Sequence, residues 1–145
     1  MRRALIATLA VAASLAAVLA AGAGNTAGTK LEASLRGSNE RPVAPASNRG
    51  TVELRLTART GKVCWEFKLT KVDGKPNQAH IHKGGKGVAG NVVVPLGANF
   101  KRQGCTTASK ALVRAILKKP RAFYVNVHNV KHPAGAMRGQ LARGA

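Results

Sequence analysis

An alternation of apolar and polar residues, with a period of two, runs through most of residues 51–69 and sets the strongest limit on the fold. The apolar residues that share one face are Val52, Leu54 and Leu56 in TVELRLT, and Val63, Trp65, Phe67 and Leu69 in KVCWEFKL. This period is typical of β-strands that bury one face and expose the other. Gly61 lies between the two segments, where a tight hairpin turn favours glycine. The two segments are therefore predicted to be half-buried strands joined by a hairpin.

Shorter strand candidates occupy much of the remaining chain, with one exception. The candidates are KLEASL, QAHIH, NVVVPL, AFYVNVH and AMRGQLA. The exception, TTASKALVRAILKKP, has a helix start signal at Ser109 and a stop at Pro120. The apolar residues on its helical face are Leu112, Ile116 and Leu117. The sequence thus predicts an all-β fold, an antiparallel β-sandwich of about seven or eight strands with one short helix near residues 109–119.

The first residues have the layout of a secretory signal peptide. Arg2 and Arg3 form a basic start, an alanine-rich apolar run follows, and Ala21-Gly22-Ala23 offers a site for cleavage. The alternative is a retained membrane anchor, since a run of roughly 20 residues can span a bilayer. Cleavage is the favoured interpretation because Thr8 and Ser14 interrupt the run.

The chain divides into three parts on this interpretation. Residues 1–23 are assigned to the signal peptide, 24–30 to a flexible lead-in and 31–143 to one domain. The mature chain, residues 24–145, is long enough for a single hydrophobic core. The protein is expected to be secreted, in the periplasm or outside the cell, with no transmembrane segment once the signal peptide is removed.

Cys64 and Cys105 are the two cysteines of the chain. In an oxidising compartment, a single pair is most simply a disulfide. A redox or metal role for the thiols is less favoured because the sequence contains no Cys-x-x-Cys motif. The pair is therefore predicted to be a structural disulfide.

The chain is strongly basic, with 24 Lys and Arg residues against 5 Asp and Glu and a formal net charge of +19. Such a charge attracts polyanions. Nucleic acid is disfavoured as a partner because an exported chain seldom meets it and because Trp, Tyr and Phe, the side chains on which bases stack, are few. An anionic polymer of the envelope or the extracellular space, or an acidic protein, is the favoured partner.

The predicted helix carries a basic stripe opposite its apolar face. Its members are Lys110, Arg114, Lys118 and Lys119. Like charges at a spacing of four residues cost a few tenths of a kcal/mol each, so helix stability does not explain them, although cations do suit the last turn. The stripe is either an anion-docking surface or simply a solvated face of a basic protein.

Three histidines form the best candidate for a site. In AHIH, His80 and His82 point to the same side of a strand, opposite Ala79 and Ile81, and their Cα atoms are expected to lie about 6.5–7 Å apart. With His128 from another strand they would make a three-imidazole site of a kind that suits copper or zinc. The favoured interpretation is a structural role, in which the rings hydrogen-bond to backbone carbonyl groups of the glycine-rich loop at residues 83–90. The metal site is the alternative, and general acid–base catalysis is the least favoured of the three.

The same alternation predicts a polar face around these histidines. Its further members are Glu66, Tyr124, Asn126, Arg138 and Gln140. Three roles are open for Arg138: an ion pair with Glu66, ligand binding, or donation to carbonyl groups in the turn at residues 132–136, of which the last is favoured. His132 is not expected to pair with His128 on a helix, because Pro133 follows it.

Several motifs, in order, resemble the CHRD, or chordin-type, domain family. LRGSNERPV is similar to the opening motif of the family through Leu35, Gly37, Glu40 and Pro42. The further matching pieces are GKVCWEFKL, AHIHKG, GC at residues 104–105 and KPRAFYVNVHNVKHPAGAMRGQL. The resemblance extends over about residues 31–142. The basic helix is a departure from the family pattern, as is Arg41, which stands where the family usually has an apolar residue.

The resemblance implies an exported all-β domain with a Greek-key architecture similar to the copper/zinc superoxide dismutase sandwich. Bacterial members of the family generally have no assigned activity, and in animal chordin these domains accompany growth-factor-binding modules. AHIH and NVH also resemble copper-ligand motifs of the dismutase. The zinc-ligand cluster and the bridging histidine of the dismutase have no counterpart here, so full dismutase activity is not expected.

Two functions are compatible with these features. The leading interpretation is an exported, non-catalytic CHRD-domain protein that binds an anionic partner at the cell envelope or outside the cell. The alternative is a mononuclear copper or zinc protein that uses His80, His82 and His128. An enzyme is not expected, because no serine or cysteine nucleophile motif is present and carboxylates are too few for a paired acid–base site.

Overall fold

The computed structural model describes residues 28–144, which contain nine β-strands and one α-helix. The strands are β1 (Thr29–Arg36), β2 (Arg49–Thr57), β3 (Lys62–Lys71), β4 (Pro76–Lys83), β5 (Val92–Pro95), β6 (Gln103–Thr107), β7 (Phe123–Asn129), β8 (Met137–Gln140) and β9 (Ala142–Arg143), and the helix is α1 (Lys110–Lys118). The predicted signal peptide and residues 24–27 lie outside the described residues, and β1 begins inside the predicted lead-in. None of the helices within residues 28–144 has the length and apolar character needed to cross a membrane.

The strands form one antiparallel sheet in the order β5-β4-β7-β8-β1-β2-β3-β6, and β9 pairs with β1. Residues 96–102 bridge the two ends of this sheet. The Phe100 amide donates to the Asn77 carbonyl of β4 at 2.8 Å, and the Phe67 amide of β3 donates to the Arg102 carbonyl at 2.7 Å. The sheet therefore curls into a near-barrel, so that its opposite walls face a common core.

The predicted all-β class with one short helix is confirmed. Residues 28–144 contain nine strands, and a single continuous sheet supplies both of the facing layers that a sandwich requires. The alternation predicted for β2 and β3 is also present. Val52, Leu54 and Leu56 are at most 1% exposed, and they pair across the hairpin with the buried Phe67, Trp65 and Val63, respectively. Burying side chains of this size contributes about 1.5–3 kcal/mol each.

Helix α1 begins and ends where the sequence predicts. Ser109 is its N-cap, and the side-chain oxygen accepts a hydrogen bond from the Leu112 amide at 3.1 Å. The buried face is centred on Val113 and Ile116. Leu112 and Leu117, which were predicted to share the apolar face with Ile116, are only half-buried. The buried face therefore includes Val113, which the prediction did not name, together with Ile116, which it did.

The predicted disulfide between Cys64 and Cys105 is present. The two residues are direct partners across β3 and β6, and their Cα atoms are 4.0 Å apart. Because Cys64 lies opposite the buried Val63 and Trp65 on the strand, the bridge lies on the outer face of the sheet. It fastens the edge strand β6 to its neighbour.

Candidate metal centre

The histidines of the predicted site come together on the outer face of two neighbouring strands. β4 pairs with β7 so that Ala79 and Ile81 enter the core, while His80 and His82 project from the other side. The ring centroids of His80 and His128 are 5.0 Å apart, and those of His82 and His128 are 6.2 Å apart. One nitrogen from each of the three rings lies within 4.8 Å of the others. The structure thus brings together all three residues that the sequence nominated.

Backbone carbonyl groups fix the tautomers of two of these rings. His82 Nδ1 donates to the Gly90 carbonyl at 2.8 Å, and His128 Nδ1 donates to the Pro133 carbonyl at 2.9 Å. Because a carbonyl can only accept, the proton of each neutral ring is on Nδ1 and the lone pair is on Nε2. His82 Nε2 is buried and has no hydrogen-bond partner among the described residues. This pattern of backbone-held Nδ1 and free Nε2 is the usual one for metal-binding histidines.

His80 closes the cluster. Its Nδ1 lies 3.1 Å from His128 Nε2, and since the latter carries a lone pair, His80 is the donor in this hydrogen bond. An ion held between the rings would replace this contact. The predicted structural role of the histidines also has support here, because His82 and His128 each tie a loop to the sheet.

The surroundings keep the three rings neutral. Burial, with smaller contributions from His128 and His82, lowers the pKa of His80 to about 4. Burial also lowers the pKa of His82 and of His128, and the positive charge of Arg138 acts in the same direction on both. Neutral imidazole is the form that binds a metal ion, so protons do not compete for the cluster at neutral pH.

Four of the five other predicted polar-face residues lie beside the cluster, on β7 and β8: Tyr124, Asn126, Arg138 and Gln140. The ring of Tyr124 stacks on His82 with centroids 4.8 Å apart, and the Arg138 guanidinium lies 4.6 Å from the Tyr124 centroid. Gln140 donates to carbonyl groups at Gly84 and in the 121–123 segment. The Asn126 Oδ1 atom is buried without a partner among residues 28–144.

Glu66 is the fifth, and the structure separates it from the histidines. It lies on β3, with β1 and β2 between it and β8, and it is exposed opposite Glu53. The alternation in β3 correctly assigned Glu66 to the outer face. The order of strands in the sheet places Glu66 far from the histidines along that face. Alternation alone does not predict this order.

The partner of Arg138 is a residue that the sequence analysis did not include in the site. Arg138 Nε donates to Glu40 Oε2 at 2.6 Å, and Nη1 donates to the Val88 carbonyl at 3.2 Å. The predictions of contacts with Glu66 or with the 132–136 turn are therefore wrong; Asn48, not Arg138, donates to the Ala136 carbonyl in that turn. Glu40 lies in the motif LRGSNERPV, and a carboxylate inside such a motif is the one sequence signal that points to it.

The basic stripe is exposed along its whole length. Lys110, Arg114 and Lys118 project from α1, and Lys119 is its C-cap. None of the four forms an ion pair with a carboxylate of residues 28–144. The stripe is separate from the histidine cluster, since its members come from a different element.

The fold and this site define an antiparallel β-domain whose outer face carries a three-histidine cluster beside a buried arginine. The chain belongs to the CHRD domain family, whose model matches residues 31–141. The predicted family is therefore confirmed, and this family is not known as enzymatic. Neither the curated proteins nor the solved structures contain a match to the chain.

Proposed function

We propose that this CHRD-domain protein is an exported, non-catalytic protein that binds one copper or zinc ion through His80, His82 and His128. The observation that carries the proposal is the convergence of the three rings, because one nitrogen from each lies within 4.8 Å of the others. The Gly90 and Pro133 carbonyl groups hold the Nδ1 atoms of His82 and His128, which leaves the lone pairs of these rings on Nε2 for an ion.

The donor set favours copper or zinc over harder cations. Three imidazoles suit these two metals, whereas magnesium and calcium prefer oxygen ligands. Glu40, whose partner Arg138 lies beside the cluster, already binds that arginine. When bound, the ion would supply a coordination link between β4 and β7. Export is supported by the Cys64–Cys105 disulfide, which persists in oxidising compartments.

Metal analysis tests this proposal. Protein purified without chelator is expected to carry about one copper or zinc ion per chain, and added Zn²⁺ at 100 times its Kd should raise the free energy of unfolding by about 2.7 kcal/mol. The His80→Ala variant should lose both properties. His132→Gln is the matched control, because His132 lies outside the cluster and contacts Asp73. A wild-type protein that carries no metal and whose melting temperature ignores both Cu²⁺ and Zn²⁺ would contradict the proposal.

A second function, binding of an anionic polymer of the envelope or extracellular space or of an acidic protein, is favoured by a separate observation. Each of the five carboxylates of the chain forms an ion pair. Lys and Arg outnumber them 24 to 5, so most cations have no carboxylate partner among the described residues. The basic stripe is a local concentration of such cations, and the resulting field attracts polyanions.

Chromatography on heparin, used as a model polyanion, tests this second function. The variant with glutamine at Lys110, Arg114, Lys118 and Lys119 should elute at clearly lower salt than wild type, because it loses four charges from one surface. A control variant removes four exposed cations elsewhere, namely Lys71, Lys75, Lys101 and Arg102. Equal shifts for the two variants would show that only overall charge matters and that the stripe is a solvated face.

A further inference from the structure

A buried ion pair lies beside the histidine cluster but does not belong to it. Glu40 and Arg138 join at 2.6 Å, and their side chains are 1% and 4% exposed. Gly135 packs so closely on the Glu40 carboxylate that a Cβ atom at position 135 would overlap with it. Such pairs often contribute little to stability compared with apolar residues of the same volume. The stability of the fold therefore does not explain why this pair is here.

The pair is connected to the loop that follows β4. The guanidinium group of Arg138 uses Nε for Glu40 and Nη1 for the Val88 carbonyl, so the carboxylate fixes the orientation of the group that holds the loop. The side chain of Val88 is 54% exposed and provides no apolar anchor. The loop is also rich in glycine, and each glycine adds conformational freedom that polar contacts have to restrict.

The same loop holds the metal-ligand candidate His82. Two residues beyond Val88, the Gly90 carbonyl accepts from His82 Nδ1 at 2.8 Å, and the Gly90 amide donates to the Tyr124 hydroxyl at 3.1 Å. Tyr124 in turn contacts both His82 and Arg138 through its ring. A continuous set of contacts therefore runs from the Glu40 carboxylate to the His82 ring.

We infer that Glu40 and Arg138 are positioning residues for His82, which act by holding the loop at residues 84–91 so that Gly90 fixes the tautomer and orientation of the ring. The inference rests on the proposed function, because it assigns to the pair a role in preparing His82 for a metal ion. Contacts of this outer kind typically change metal affinity by about 10–100-fold when they are removed. Glu40, which lies in the motif LRGSNERPV, thereby has a structural role at a loop that is distant from it in the sequence.

Two variants separate positioning from simple support of the fold. Glu40→Leu with Arg138→Met replaces the pair by apolar side chains of similar volume, which buried sites often tolerate. Arg138→Lys keeps the positive charge beside Glu40, but a single ammonium group lacks the planar fork that serves Glu40 and Val88 together. Glu53→Gln is the control, since Glu53 is a surface carboxylate on β2 that pairs with Lys30 and Arg55.

The first measurement uses metal-free protein, so that it does not depend on metal binding. In both variants, hydrogen exchange at the Gly90 amide should become at least tenfold faster, and the NMR signal of the His82 Nδ1 proton should broaden or vanish. Exchange in the core strand β7 should stay as in wild type. A folded double variant with wild-type exchange at Gly90 and an unchanged His82 signal would overturn the inference.

The second measurement is Zn²⁺ affinity by competition with a chelating dye. The double variant and Arg138→Lys should bind Zn²⁺ about 10–100-fold more weakly than wild type, and Glu53→Gln should bind it equally well. Unchanged affinity in a variant whose loop has loosened would also overturn the inference. If the wild-type protein binds no Zn²⁺ or Cu²⁺, the proposed function fails, and the exchange data then report separately on whether the pair holds the loop.

Discussion

Replacing Arg138 with methionine alone is expected to lower the free energy of unfolding by about 3–5 kcal/mol, which is a large part of the stability of a domain of this size. The substitution leaves the Glu40 carboxylate, whose residue is 0% exposed, without its cation. One oxygen of this carboxylate, Oε1, already has no partner among the described residues. Urea unfolding followed by circular dichroism measures the loss.

The pH dependence of this variant is part of the same expectation. Burial raises the pKa of Glu40, and the hydrogen bond and charge of Arg138 oppose that rise. Without Arg138 the pKa of Glu40 in the folded state rises further above the ordinary value of 4.5, which applies to the unfolded chain. At a pH between 4.5 and the raised pKa, the folded variant therefore binds more protons than the unfolded chain. Its stability should therefore increase as the pH falls toward 4.5. The difference between variant and wild type should be largest at neutral pH and shrink as acid neutralises Glu40.

A double variant serves as the control. Glu40→Leu combined with Arg138→Met removes both charges, and it should recover most of the stability that the single substitution loses. If Arg138→Met were as stable as wild type at pH 7, Glu40 would not be a buried charge that depends on Arg138. If the double variant were no more stable than the single one, packing of the arginine stem rather than its charge would explain the loss.

Removing the disulfide is the second large effect. Replacing Cys64 and Cys105 by alanine frees a loop with a sequence separation of 41 residues, and the chain-entropy relation gives a loss of about 4 kcal/mol as an upper value. The bridge also holds β6, one edge of the sheet, next to the segment that joins the ends of the near-barrel. We therefore expect most of this value in a guanidinium titration under oxidising conditions.

A reductant provides the control for this second prediction. Dithiothreitol should destabilise the wild-type protein toward the level of the alanine variant and leave the variant itself unchanged. A variant that unfolds at the same guanidinium concentration as oxidised wild type would mean that the disulfide restricts the unfolded chain very little, or that native packing compensates for its loss.

The sequence predicts the faces of the strands better than it predicts their neighbours. Alternation places His80 and His82 on one side of β4 because successive side chains of a strand point to opposite faces. Alternation does not predict the register between β4 and β7. This register sets His80 opposite Asn126 and brings His128 close to the two histidines of β4. For the same reason Glu66 was correctly assigned to the outer face and yet lies strands away from the histidines.

The contacts of the site that the sequence does not predict involve residues in irregular segments. Glu40 follows a short 3₁₀ turn and lies in no strand, so no periodic pattern marks it as buried. The Val88 and Gly90 carbonyl groups that receive Arg138 and His82 are backbone atoms, which any residue type would provide. Long-range contacts of this kind, 50 residues apart for Arg138 and Val88, depend on the complete fold.

The two outermost strands of the sheet bear on how the protein behaves at high concentration. An open strand edge offers unpaired amide and carbonyl groups to other chains and promotes aggregation. β5 is only four residues long and ends in Pro95, which has no amide hydrogen to offer. β6 follows the exposed cations Lys101 and Arg102. Each edge therefore carries its own deterrent to strand addition, and this arrangement disfavours edge-to-edge association of the folded domain.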